Sequence, residues 1–438
     1  MKNMPLHWKI ILGMLSGVLI GIVAIQIDGG KNFVIDWVKP FGTIFINLLK
    51  LMAIPLIISS LIKGVSDLKD LSSLSRLGFR TVAIYITTTV IAISIGLILV
   101  NIIKPGMLVN EQTREELMVS FGKDAESKTL AAAETKSRGP LQMLVDIVPD
   151  NIFSATSSNG NMLQVIFFVI FFGIGLILIP SAAAAPVKSF FDAFNEVILK
   201  MIDLVMLTAP YGVFALLAAL VAESPGFDIF IALGAYALTV ILGLAILLFI
   251  VYPLGVKIFT GKSPSFFLKG ISPAQLVAFS TSSSAATLPV TMERVEEHLG
   301  VDRQVASFVC PVGATINMDG TSLYQGVAAV FISQAFGNEI TFGDQLTIIF
   351  TALLASIGSA AVPGAGLLML VIVLESIGVS PAGLALIFAL DRPLDMLRTS
   401  VNVTGDAFVA MTVAKSVGKL GDPHVKDWDD NYPSSKQG

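Results

Sequence analysis

Cysteine, histidine and charge are what this chain has least of. A single cysteine, Cys310, excludes an internal disulfide, and its apolar neighbours mark it as a small packed hydrophobe with no function of its own. Three histidines, His7, His298 and His424, lie outside the expected membrane core, which leaves no imidazole or thiolate set there for zinc or copper. Only 14% of residues are charged, and the net charge of -4 is spread along the chain, so no basic patch exists for nucleic acid. A small-residue cleavage site is also lacking after the first apolar run, although Lys2, His7 and Lys9 flank it. That run is therefore expected to be an uncleaved span.

What the chain does have is apolar length: 54% of its residues are hydrophobic. Runs near 9 to 26, 42 to 62, 82 to 103, 163 to 179, 197 to 222 and 229 to 252 can each cross about 30 Å of hydrocarbon as a helix. A multi-pass protein of the cell membrane, in contact with lipid, is expected. Lys63, Lys69, Arg76 and Arg80 crowd the short loop between the second and third runs, which places that loop and the N-terminus in the cytoplasm. The stretch from 105 to 140 mixes charges with small residues and reads as a mobile aqueous loop. The tail after Lys419 reads as a solvated end.

Against that apolar background the segment DRPLDMLRTSVNVTGD stands out. Asp391, Asp395, Arg398, Asn402 and Asp406 are spaced 4, 3, 4 and 4 residues apart, so at helical periodicity they share an arc of about 80°. Ionisable groups at bilayer depth cost about 2.5 to 3.5 kcal/mol each or more, so a stripe of them must meet water, one another, ions or a substrate. Arg398 offers a planar fork of donors that suits a carboxylate, and Asp395 can accept an ammonium group. The pair matches an acidic amino acid, aspartate or glutamate. An alternative is an internal Arg398–Asp395 salt bridge that only neutralises charge.

The second half of the chain also repeats itself. TSSSAATLP at 281 to 289 resembles SIGSAAVPG at 356 to 364, and each precedes a polar segment, ATINMDGT at 314 to 321 and TSVNVTGDA at 399 to 407. Duplicated Gly/Pro-interrupted segments point to the substrate site of a secondary transporter. Ser282, Ser283 and Ser284 can present hydroxyls and turn amides to an anion, the alternative being that they only let helices pack closely. The second tip, from Ser356 to Gly366, has the glycines of a gate. In NMDGT, Asp319 and Asn317 beside Gly320 suggest a local unwinding whose carbonyls and carboxylate suit a hard cation such as sodium, with Asn402 and Asp406 completing the site. Tyr85, Thr88 and Thr89 offer hydroxyls for another cation, or serve only to pack helices.

TSSSAATLP, GATINMDGTSLYQG, ASIGSAAVPGAG and DMLRTSVNVTGD, in this order, resemble the dicarboxylate/amino acid:cation symporters, the glutamate transporter family, over nearly the whole chain. The resemblance implies an all-α polytopic fold of eight transmembrane helices plus two re-entrant helical hairpins in inverted repeats, working as an elevator in a homotrimer. It implies scaffold at 1–75 and 141–226, transport domain at 76–110 and 227–418, an extramembrane loop at 111–140 and a tail at 419–438. The family's substrate positions fall on Ser284 and Asn402 for the main-chain carboxylate, Asp395 for the amino group, and Arg398 and Thr321 for the side-chain carboxylate. Ser283 and Thr399 accompany them, and Val362 and Gly366 lie where the second tip closes. Its sodium positions fall on Gly313, Asn317, Asn402 and Asp406; on Thr315, Ser356, Ile357 and Ser359; and on Tyr85, Thr88, Thr89, Asn317 and Asp319. No cofactor is implied beyond co-transported sodium.

Both Arg398 and Asp395 favour an acidic amino acid, since members for neutral amino acids lack the first and C4-dicarboxylate carriers the second. Two departures stand out: archaeal members have an arginine where this chain has Ser282, and animal members have one where it has Met396. Arg392 is a candidate electrostatic substitute. Asp391 has no assigned role. Proton coupling, an anion channel lined by Arg398, and an intramembrane aspartyl protease built on Asp406 are the alternatives to sodium symport.

Overall fold

In hydrocarbon every backbone N–H and C=O must be bonded within its own segment, so long apolar runs have one economical solution, the helix. The computed structural model describes residues 6–67, 75–111, 113, 114, 145, 148–157, 161–223, 228–357 and 364–423. Among them no strand occurs, only an isolated bridge between Val301 and Leu420. The principal helices are α1 (Leu6–Ile25), α2 (Lys39–Asp67), α3 (Ser75–Ile103), α4 (Met162–Leu178), α5 (Ser181–Leu207), α6 (Ala209–Glu223) and α7 (Asp228–Ile246). They continue with α8 (Tyr252–Thr260), α9 (Pro264–Thr281), α10 (Ser284–Glu293), α11 (Arg303–Ile316), α12 (Asp319–Ala335), α13 (Phe342–Ile357), α14 (Ala365–Ser376) and α15 (Leu384–Ser416). Among the described residues three stretches, Gly30–Leu56, Gly78–Leu108 and Asp228–Thr260, are long and apolar enough to cross a membrane. The chain is a membrane protein.

The helices pack in two sets. In the first, α1 lies against α6, and α2 against α4, α5 and α6. Methyl groups at Gly13, Gly17 or Gly21 would overlap Pro210, Phe214 or Val221, so this four-residue glycine spacing lets α1 and α6 approach closely. Ser59 Oγ donates to Asn195 Oδ1 at 3.1 Å, joining α2 to α5 through their buried polar side chains. In the second set α12 is central, packed by α3, α7, α13, α14 and α15, and every one of its residues is buried. The sets meet where α6 touches α15 and where α2 and α4 touch α14.

Several sequence expectations change here. The run from 197 to 222 is not one helix: α5 ends at Leu207 and α6 starts at Ala209, because Pro210 has no N–H to carry the ladder across. The expected loop from 105 to 140 begins as packed structure. Pro105–Leu108 form a 3-10 turn, and Pro105, Gly106, Val109 and Thr113 are buried. Gly106 N donates to Gln334 Oε1 at 3.2 Å, tying this turn to α12. The start of the expected free tail is bonded too, since Asp302 N donates to the carbonyl of Lys419 at 3.0 Å and Gly421 N to that of Gly300 at 2.8 Å. Residues 115–140 and 424–438 lie outside the described residues.

Candidate functional site

Helix α15 carries its polar stripe unbroken, and Asp391, Asp395, Arg398, Asn402 and Asp406 are all buried. Two turns of helix separate Asp391 from Arg398, which puts both on one face. Arg398 Nη1 donates to Asp391 Oδ1 at 2.9 Å, and Nη2 donates to Asp395 Oδ1 at 2.7 Å. The ring of Tyr324, from α12, covers the guanidinium with its centroid 3.8 Å from Cζ. A fully buried arginine is thus held by two carboxylates and an aromatic face, the arrangement needed to offset its desolvation. The internal salt bridge, posed as an alternative, is present. Asp391, which had no role, is Arg398's second carboxylate.

Thr321 and Gly366 meet beside this arginine. A methyl group on Gly366 would overlap Thr321 Cγ2 and lie 3.7 Å from Arg398 Nη2. Gly364, at φ 81°, occupies the left-handed region and caps α14, and its N–H reaches Asp395 Oδ2 at 3.1 Å. The second tip is therefore joined to the stripe through Asp395. Gln325 Nε2 adds a bond of 3.1 Å to the carbonyl of Gly366.

One turn further along α15, Asn402 connects two neighbourhoods. Its Oδ1 accepts from Gly320 N at 2.8 Å and its Nδ2 reaches Thr321 Oγ1 at 3.4 Å, while its backbone carbonyl accepts from Asn317 Nδ2 at 3.4 Å. The expected unwinding in NMDGT is present: α11 stops at Ile316, Asn317 and Met318 leave helical geometry, and α12 starts at Asp319. Asn317 Nδ2 donates to Asp406 Oδ1 at 2.9 Å, and its Oδ1 is buried with no hydrogen-bond partner. Asp319 accepts from Thr89 at 2.7 Å and from Tyr252 at 2.8 Å. A methyl group on Gly313 would overlap both Asp406 Oδ1 and Tyr85 Oη, so only glycine lets these three groups converge. Two carboxylates, an orphaned amide oxygen and hydroxyls form an all-oxygen donor set, which fits a hard monovalent or divalent cation better than a thiophilic one.

The remaining expected positions divide. Ser356 joins the site, accepting from Met318 N at 3.2 Å and donating to the carbonyl of Ile316 at 3.2 Å, which ties the end of α13 to the break. Its neighbour Ile357 is partly buried at the last residue of α13. Thr315 is exposed and bonds back to Val312 O, and Thr88 and Thr399 likewise bond back to Tyr85 O and Asp395 O of their own helices. Ser283 caps α10, accepting from Ala286 N at 3.1 Å, and Ser284 is buried at its first residue. The preceding helix α9 docks on α15 where Ser400 Oγ donates to Gln275 O and Gln275 Nε2 to Thr404 Oγ1. Val362 and Ser359 lie outside the described residues.

Sequence reasoning missed Tyr252, Tyr324 and Gln325. The last two lie within four residues of the end of NMDGT, a visible signal, whereas Tyr252 ends an apolar run just after a π-helical turn, Leu247–Val251. That turn shifts which face of the helix meets Asp319.

Comparison with known proteins agrees in extent with the motifs. The family model described as the sodium:dicarboxylate symporter family matches residues 6–416. The chain is 33% identical to the proton/sodium-glutamate symport protein of Geobacillus stearothermophilus, over 98% of each chain. It is 34% identical to the proton/glutamate-aspartate symporter of Escherichia coli strain K12, over 95% of this chain and 94% of that one. It is 36% identical to excitatory amino acid transporter 3 of Mus musculus, over 93% of this chain and 85% of that one.

Proposed function

The chain belongs to the sodium:dicarboxylate symporter family, and from that premise we propose that it is a sodium-coupled symporter of acidic amino acids, aspartate or glutamate. The observation that carries the reading is Arg398, buried between Asp391 and Asp395 beneath Tyr324, with Thr321 and Gly366 beside it. Such a preorganised guanidinium binds the substrate's side-chain carboxylate. Asp395 receives the ammonium group, Asn402 and the Ser283–Ser284 tip receive the main-chain carboxylate, and Val362 and Gly366 close over the ligand.

The all-oxygen donor set around Asp319 and Asp406 supports sodium as the coupled ion. Asp319 meets the hydroxyls of Thr89 and Tyr252 through its two oxygens, and Asp406 accepts from the amide of Asn317, a polar surrounding in which both can be held as carboxylates. Their charge then calls for a cation. Gly313, Asn317, Asn402 and Asp406 would hold one ion, Tyr85, Thr88, Thr89, Asn317 and Asp319 another, and Thr315, Ser356, Ile357 and Ser359 a third. Separate donors for Asp319 and Asp406 also disfavour the shared proton of an aspartyl protease. No enzymatic step belongs to this reading.

The packing supports an elevator. Every candidate site residue among the described ones lies outside α1, α2, α4, α5 and α6, so the remaining helices can carry substrate and ions past those five as a unit. We place the first set as scaffold in a homotrimer of the cell membrane, with the N-terminus in the cytoplasm. The test is uptake of labelled aspartate into proteoliposomes under imposed gradients. Accumulation driven by inward sodium at equal pH is expected. Accumulation driven by protons alone, with sodium replaced by potassium, would transfer the coupling to the proton, as two of the relatives' names contain.

A further inference from the structure

Arg392 is the charged residue in the buried part of α15 that the symport reading leaves unused. It lies one turn before Asp395, off the polar stripe, yet it is largely buried, its side chain 14% exposed. Its Nη1 stands 3.6 Å from Asp395 Oδ2, and its Nε and Nη1 are buried without a hydrogen-bond partner. Donors of a permanent cation left unmatched inside a protein are costly, so their placement calls for a counter-charge they can meet.

Asp395 is the group they face, and it is shared four ways. Oδ1 accepts from Arg398 at 2.7 Å; Oδ2 accepts from Gly364 N at 3.1 Å and feels Arg392 at 3.6 Å. The fourth claimant is the substrate's ammonium group, under the reading that the ligand is an acidic amino acid, on which this inference rests. A cation beside Oδ2 opposes the arrival of a second cation and weakens the pull of Asp395 on it. It does the opposite for a diacid that has no amine, because Arg392 then helps to neutralise the carboxylate that would repel such a ligand.

We propose that Arg392 is a specificity-tuning residue: it partly neutralises Asp395 and thereby narrows the preference for acidic amino acids over amine-free dicarboxylates of the same length. It acts through Asp395 and positions charge, touching no reacting group. Relative to a chain with a neutral residue here, this protein admits diacids more readily.

The test compares the dissociation constants of L-aspartate and succinate, in saturating sodium, for the purified full chain and for Arg392→Gln, with Arg392→Met as a second neutral variant retaining the apolar stem. The succinate-to-aspartate ratio is expected to rise by about tenfold in either neutral variant, and to stay within about twofold in Arg392→Lys. A residue that only supports the helix would weaken both ligands in parallel. An unchanged or lowered ratio in the neutral variants, with aspartate still bound by the unaltered chain, overturns the role of Arg392 alone. Failure of the unaltered chain to bind aspartate or glutamate contradicts the symport reading and removes this proposal with it.

Discussion

Helices α1, α2, α4, α5 and α6 and the set built around α12 solve the same problem of life in hydrocarbon in opposite ways. The first set shows Leu15, Leu19, Phe41 and Phe171 at its surface, and its described buried polar groups are Ser59 and Asn195, bonded to each other. The second also presents apolar side chains outside, such as Ile98 and Phe249, but inside it buries Asp319, Asp391, Asp395, Arg398 and Asp406. A helix bundle gains little from charge at depth, since replacing buried ion pairs by apolar residues is often stabilising. Under the proposed function the second set keeps its charges for binding. The difference divides the helices more sharply than chain order does, because α3 packs with the later helices.

That contrast can be broken by substitution, with effects that fall from the inner set to the outer. Arg398→Cys removes the guanidinium that Asp391 and Asp395 share, and should lower acidic amino acid uptake by about a hundredfold or more while admitting a neutral amino acid. Competition assays with aspartate and serine measure it. Asp391→Asn keeps the shape but removes one of Arg398's two carboxylates, and an increase of about tenfold in the aspartate KM is expected, with the protein still folded. Tyr252→Phe deletes one donor to Asp319, worth about 1 kcal/mol, so the sodium concentration for half-maximal uptake should rise about fivefold while aspartate affinity at saturating sodium holds. At the other end, Leu19→Ala on the exposed face of α1 should change thermal stability by less than about 0.5 kcal/mol and leave uptake intact. An effect of Leu19→Ala as large as that of Tyr252→Phe would erase the distinction between the sets.

How much of this was legible in the sequence follows the same division. Charge in an apolar helix is a strong signal, so the stripe from Asp391 to Asp406 and the break at Asn317 and Met318 could be read before any coordinates. Contacts between segments could not. That Tyr324 would cover Arg398, or that Tyr252 would find Asp319 across a π-helical turn, depends on rotation of whole helices, which residue spacing within one helix does not encode. The partnership of Asp391 with Arg398 is an intermediate case. Their spacing put them on one face, but competing roles for Asp395 hid which carboxylate would hold the guanidinium. In the outer set hydropathy concealed a boundary, because Pro210 divides an unbroken apolar run into α5 and α6. The glycines at 13, 17 and 21 were readable as a packing seam only once α6 was known to lie against them.

In the proposed reading Asn402 is the junction of substrate and ion, since it bonds Gly320 and Thr321 on one side and Asn317, the partner of Asp406, on the other. Linkage then requires that sodium strengthen aspartate binding and that aspartate strengthen sodium binding by the same factor. The most direct measurement is the equilibrium dissociation constant of L-aspartate for the purified chain in sodium and in potassium at equal pH and ionic strength. A constant at least about tenfold lower in sodium is the expected result. Equal affinity in the two salts would contradict the account at its centre.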